Sequence, residues 1–243
     1  LALLGNKNLK PTTSENINFG FRWSITSELD FTIDYWEIDY KNRIEVESPQ
    51  VLLNTNPYSP SITRNQFGEL IAVSTSYFNE EKTKVNGVDI EVNFSKIFNA
   101  GELSYSIKAT QLSKFLTPEH QDSLTLVNRV GKFNYDAHTH SLPELRLNSF
   151  FGWRVNDFKI GLNTRYVEGY SNNRQIPKSA VNLGYTNYVK SFLVHDFSIT
   201  KLLKFSSGEM ELGIGIINAF DKQAPLLYDA PDFSFDTRVH DPR

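Results

Sequence analysis

Few residues of this chain stand at spacings that could do chemistry. His138 and His140 would share one face of an extended strand and could both ligate a metal. No further ligand is near them in sequence, and a turn-rich stretch around them reads as solvated loop. Asp229, Asp232, Asp236 and Asp241 could hold calcium, but they lack the dense alternation of a compact calcium loop and also read as solvated. There is no cysteine, so thiolate chemistry and disulfides are excluded. No Gly-x-Ser-x-Gly, His-Glu-x-x-His or phosphate-loop motif occurs, so no enzyme activity, metal or cofactor is expected. What remains is a basic and aromatic set, Arg165, Tyr170, Arg174 and Lys178, suited to an anionic or aromatic ligand. The competing reading of that set is one interfacial tyrosine among solvated cations.

The elements that would position these residues are strands. Strict apolar/polar alternation, the mark of a half-buried strand, recurs over residues 16–24, 29–35, 88–94, 103–110, 145–154, 158–166, 197–200 and 209–216. In the first of these Ile17, Phe19, Phe21 and Trp23 oppose Asn18, Gly20, Arg22 and Ser24. Ser149 and Phe150 break the alternation of the fifth. No segment of similar length has a helical period, although 48–54 could form one short helical turn inside a loop.

The connections sort by length. Short ones fall at 25–28, 96–101, 156–157 and 204–208; long ones at about 44–75, 116–142, 171–190 and from 219 onward. Short and long alternate without a break, so an antiparallel meander places every short turn at one end and every long loop at the other. That asymmetry belongs to membrane barrels more than to soluble sandwiches, which mix their loop lengths. Aromatics near strand ends (Trp23, Tyr35, Trp36, Tyr40, Phe94, Trp153, Phe158, Tyr166 and Tyr170) fit interfacial girdles. The mean hydropathy is negative, which does not exclude a barrel, because a barrel strand shows lipid only every second residue. A net charge of −3 offers no basic footprint for nucleic acid. The fold class read from this pattern is all-β: an antiparallel, up-and-down transmembrane barrel. Gly87 within its strand suggests a bulge, and Asn218 and Asp221 suit a strand end.

Five stretches, in order along the chain, carry a family resemblance. The segment beginning Leu9-Lys10-Pro11-Thr12-Thr13-Ser14, with Asn16 and Gly20, resembles the "LKPE-S-N-x-x-x-G" stretch of TonB-dependent outer-membrane receptors. Asp34-Tyr35-Trp36-Glu37-Ile38-Asp39, followed by Lys41-Asn42-Arg43-Ile44, is similar to their "DYWxIDxKDxI" strand. Asn79 with Asn86-Gly87-Val88-Asp89, Pro143-Glu144-Leu145-Arg146-Leu147-Asn148 with Gly152-Trp153, and Asn218-Ala219-Phe220-Asp221-Lys222 resemble three later elements; Ala219 stands where the family has leucine. The resemblance implies that residues 1–243 are about eight strands from the C-terminal part of a barrel of about 22. It also implies an N-terminal plug, a TonB box and a final aromatic-ended strand, none of which these residues contain; a fragment or processed piece is therefore expected. The implied partners are outer-membrane lipid, a TonB–ExbB–ExbD complex reached through the N-terminal part, and a scarce small-molecule nutrient such as a siderophore, vitamin or oligosaccharide. A passive pore and a soluble carbohydrate-binding β-sandwich are the alternatives.

Overall fold

The computed structural model describes residues 1–121, 123–135, 140–230 and 233–240. The elements are β1 (Ala2–Leu4), β2 (Thr13–Ser24), β3 (Leu29–Val46), α1 (Pro49–Thr55), β4 (Ile62–Arg64), β5 (Leu70–Phe98), β6 (Gly101–Pro118), β7 (Leu126–Asn128), β8 (Leu145–Val155), β9 (Phe158–Val167), β10 (Tyr170–Ser171), α2 (Lys178–Val181), β11 (Tyr188–Val189), β12 (Phe192–Phe205) and β13 (Gly208–Ile216). The eight alternating segments are β2, β3, β5, β6, β8, β9, β12 and β13, and they pair in that order as one antiparallel meander. No second sheet packs face to face on it among the described residues, so the sandwich reading falls. β2 and β13 end the sheet, which therefore presents two open edges rather than closing on itself.

Several strands outrun their alternating cores. β3 continues to Val46 and β5 begins at Leu70, so the predicted loop 44–75 shrinks to residues 47–69. The extra length is charged and poorly alternating, and cross-strand backbone pairing holds it together, from Lys41↔Lys82 up to Val46↔Tyr77. The short helix predicted at 48–54 is α1. Ser48 caps it, accepting from the Val51 N–H at 3.4 Å, and Pro49 starts it, where a missing N–H costs nothing.

Register sorts the side chains into two faces. The row Phe21, Ile33, Ile90 and Ala109 continues through Leu147 and Tyr166 to Leu193 on the apolar face. The row Arg22, Thr32, Glu91, Lys108, Asn148 and Arg165 lies on the polar face. The apolar side chains are not buried: every residue of the edge strands β2 and β13 is open, with Phe19 74% exposed, and Ile33, Ile90, Ala109, Leu147 and Tyr166 between them are half-exposed. A soluble sheet would bury such a face. Here the buried apolar cluster lies among the long loops instead, formed by Phe133, Tyr170, Val189, Leu227 and Val239.

Two departures from alternation have local causes. Phe150 points to the polar face, where Gly152 and Gly161 leave room; an added Cβ would lie 3.0 and 3.3 Å from its ring. At Gly87 an added Cβ would meet the Gln111 carbonyl at 2.5 Å and the Trp36 ring at 2.7 Å, so only glycine fits. The β5–β6 register shifts at that point, and the predicted bulge is present. Trp36 and Tyr40 share the polar face with Gly87 by register, so neither is a girdle residue; Trp23, Tyr35, Phe94, Trp153, Phe158 and Tyr166 occupy the apolar face as expected. Tyr170 is not a girdle residue either, because it lies in the loop core.

Candidate functional site

At the long-loop end, side chains from the polar face and the loops build a vestibule. Its first wall starts at Asn42, whose φ of +55° suits asparagine. Below the kink, Lys41 pairs on the apolar face with Glu15 at 3.1 Å. Above it, Arg43 turns to the other face. Its guanidinium pairs with Glu80 and Glu45, each at 2.7 Å, donates to Thr83 Oγ1 at 3.1 Å and stacks over Phe115. Arg129, 6% exposed, donates to Thr117 Oγ1 at 3.0 Å and to the Glu119 carbonyl at 2.9 Å. With α1 and His120 these groups line a cleft of about 190 Å³. Arg43 is taken up by Glu45 and Glu80, and Glu47 and Glu119 also line the cleft, so four carboxylates stand against two guanidiniums and no cationic surplus is left for a ligand.

The second wall is a cap made by the three later long loops. Lys132 bridges to both Leu142 and Ser171, and Asn172 donates to the Tyr228 carbonyl at 3.0 Å. Ser141 donates to Asp236 at 2.6 Å, and Asp236 is 1% exposed rather than solvated. The backbone N–H of His240 donates to the Asp236 carbonyl at 2.9 Å. The His240 ring stacks on Tyr170 and meets Phe192 edge-on, with centroids 5.9 and 5.4 Å apart. Burial pushes the Tyr170 phenol up to about 12 and lowers His240 to about 4, against the opposing pull of Asp236 on the histidine. Both groups are therefore neutral at pH 7.

A second cleft, also of about 190 Å³, opens between cap and α1, lined by Gln50, Phe133, Asn134, Tyr135, His140, Arg174, Asp229 and Arg238. Arg174 pairs with Asp229 at 2.6 Å and lies 4.4 Å over the Tyr135 ring. Arg238 contacts His140 and pairs with Asp236 at 3.4 Å. Two guanidiniums, each held by a carboxylate, stand beside an aromatic ring there, an arrangement suited to a planar anionic ligand that competes with Asp229 and Asp236 for the guanidinium N–H groups.

The four predicted ligand residues take different places. Arg165 projects from the polar face of β9 and pairs with Asp196 at 3.3 Å. Tyr170 is 1% exposed and shapes the cap from inside. Arg174 lines the second cleft, and Lys178 opens α2 and is exposed. Of the predicted metal groups, His138, Asp232 and Asp241 lie outside the described residues. Among those described, no cluster of three or more His, Cys, Asp or Glu could hold a metal. Sequence reasoning missed Arg43, Glu80, Arg129, Tyr135 and Arg238. The available signal was Asn42, a left-handed-tolerant residue just before an arginine inside a strand.

The family described as TonB dependent receptor-like, beta-barrel matches residues 2–219. No curated protein matches the sequence. Among solved structures, a mutant of the ferric enterobactin receptor PfeA from Pseudomonas aeruginosa is 20% identical over 92% of this chain, with a TM-score of 0.56. The siderophore receptor PirA from Acinetobacter baumannii is 19% identical over 91%, with a TM-score of 0.55. The FrpB iron transporter from Neisseria meningitidis is 14% identical over 92%, also at 0.55. The chain spans 28–29% of the length of these three. At such identities the likeness is one of fold.

Proposed function

Because the chain belongs to the TonB dependent receptor-like β-barrel family of the Gram-negative outer membrane, we propose that it is the wall and outer vestibule of a receptor that imports a scarce nutrient by TonB-coupled transport. The observation that carries this reading is the one-sided architecture. Apolar side chains line one face exposed or half-exposed, without a second layer over them among the described residues, and every long loop gathers at one end. There the loops fold toward the polar face, where the cap core packs on Val167. A wall exposed to lipid needs no core of its own, and its ladders satisfy the backbone.

A ferric chelate is the first ligand to try. The three solved structures named above are a ferric enterobactin receptor, a siderophore receptor and an iron transporter, and Arg174, Arg238 and Tyr135 offer charge and ring area for an anionic chelate. Arg165, below on the wall, and Lys178, at the rim, would extend that cationic path, with Tyr170 holding the cap in shape. Vitamins and oligosaccharides are the other classes.

The test is uptake by cells carrying the intact gene product. A deletion strain should lose accumulation of one radiolabelled compound from a panel of ferric siderophores, a corrinoid and an oligosaccharide. Complementation should restore it, and an uncoupler of the proton-motive force should abolish it. Uptake that survives the uncoupler would replace active import by a passive pore. Arg174→Ala with Arg238→Ala should weaken binding of the compound about tenfold or more, as expected when a charged, stacked contact is lost.

A further inference from the structure

Beyond the apolar belt, at the long-loop end and on the same face, the register gathers lysines. On β3 the sequence Tyr35, Glu37, Asp39, Lys41 faces Val88, Asn86, Lys84, Lys82 on β5. Lys114 of β6 stands opposite Asn86, and Glu15 of β2 opposite Asp39. Side-chain contacts confirm the shared face: Tyr35 Oη donates to Glu37 at 2.7 Å, and Lys84 Nζ reaches Glu37 at 2.6 Å and Asp39 at 3.8 Å. Lys41 is held by Glu15. Lys82 and Lys114 are exposed and make no ion pair among the described residues. Lys84 is the register neighbour of both, two residues from Lys82 and diagonal to Lys114.

The opposite end of this face is built differently. There Lys96 and Lys201 lie over the rings of Phe98 and Phe158, and Trp153 stacks on Phe98. Those ammonium groups rest on aromatic rims, an ordinary interfacial anchor. At the outer end two cations beside a carboxylate-braced third are left facing the polar layer of the membrane. We propose that Lys82, Lys84 and Lys114 bind the phosphate groups of the glycolipid that forms the outer leaflet, with its acyl chains against Tyr35, Val88 and the belt below. Lysines suit this task as compact point charges that accept a phosphate from several directions. Glu37 and Asp39 orient Lys84 and prevent a bare cluster of like charge. The site is continuous with the lipid-facing wall, and it does not depend on which nutrient is imported.

The experiment uses the full-length protein, extracted from outer membranes in mild detergent. Its folding is checked by heat-modifiable gel migration, and bound lipopolysaccharide is read by native mass spectrometry and by titration with purified lipopolysaccharide. The parent and a Lys201→Gln control, changed on the same face at the other end, should retain the glycolipid. The folded Lys82→Gln/Lys114→Gln pair should bind it about thirty-fold more weakly, from roughly 1 kcal/mol per basic residue at an anionic surface. Equal binding by the pair and the parent would overturn the proposal. So would a parent that binds no lipopolysaccharide, or equal competition by phosphatidylglycerol, which would reduce the site to general attraction for anionic lipid.

Discussion

The wall and the cap are made from one chain under opposite rules. In the wall, Phe19, Phe21, Ile90 and Val92 point outward; the first two are more than half exposed and the other two are covered only in part by neighbouring strands. In the cap, Tyr170, Val189 and Leu227 are closed from solvent, with Asn172, Asp236 and His240 enclosed beside them. The wall needs no internal core because lipid is its apolar solvent, and its stability comes from the hydrogen-bonded ladder. The cap stands in water and must bury apolar area to order its loops. A side chain of the same type is therefore worth different amounts in the two regions, and that difference can be measured.

The largest effect is expected in the cap. Tyr170→Ala removes a ring packed on His240 and Val167, and truncating a buried aromatic costs about 3–5 kcal/mol. The three cap loops should then become sites of limited proteolysis in the folded protein, while the wall keeps its heat-modifiable migration. Loss of that migration would show that cap and wall are one cooperative unit.

The next effect separates the two faces of the wall. Val92→Arg places a cation on the lipid face and should cost about 2–4 kcal/mol in urea-dependent folding into bilayers. Asn93→Arg, one residue along on the polar face, should cost little. Equal costs would mean that the faces are misassigned.

The third effect is pH dependence, and it belongs to the cap. His240 titrates at about 4 in the fold because burial disfavours its charged form. Free histidine titrates near 6.5, so between those values the opened cap binds a proton that the closed cap does not. Cap stability is full above about 6.5, falls as pH drops toward 4 and loses at most about 3 kcal/mol in total. Hydrogen exchange of residues 227–240 should quicken over that window. His240→Phe should remove the pH dependence while keeping the stacked ring, and a wall strand such as β8 should show none.

Alternation made the eight wall strands legible because lipid and the lumen impose a period of two on the side chains themselves. The loop asymmetry was legible because chain length alone sets it. The cap was not. Tyr170 read as an interfacial aromatic, since local sequence does not reveal that residues 133, 170, 189, 227 and 239 meet. Asp236 read as solvated for the same reason, although Ser141, 95 residues away, encloses it. Arg43 was hidden by one backbone angle at Asn42.

The sequence by itself determined the eight long strands of the wall, the order of the meander, the two faces and the end at which the long loops lie, because each follows from neighbours a few residues apart. The tertiary structure decided which groups form the vestibule and which cations remain unpaired, because those depend on loops from distant parts of the chain folding over the polar face. It also decided that Tyr170 shapes the cap from within, since burial is a property of what packs around a residue and not of the residue.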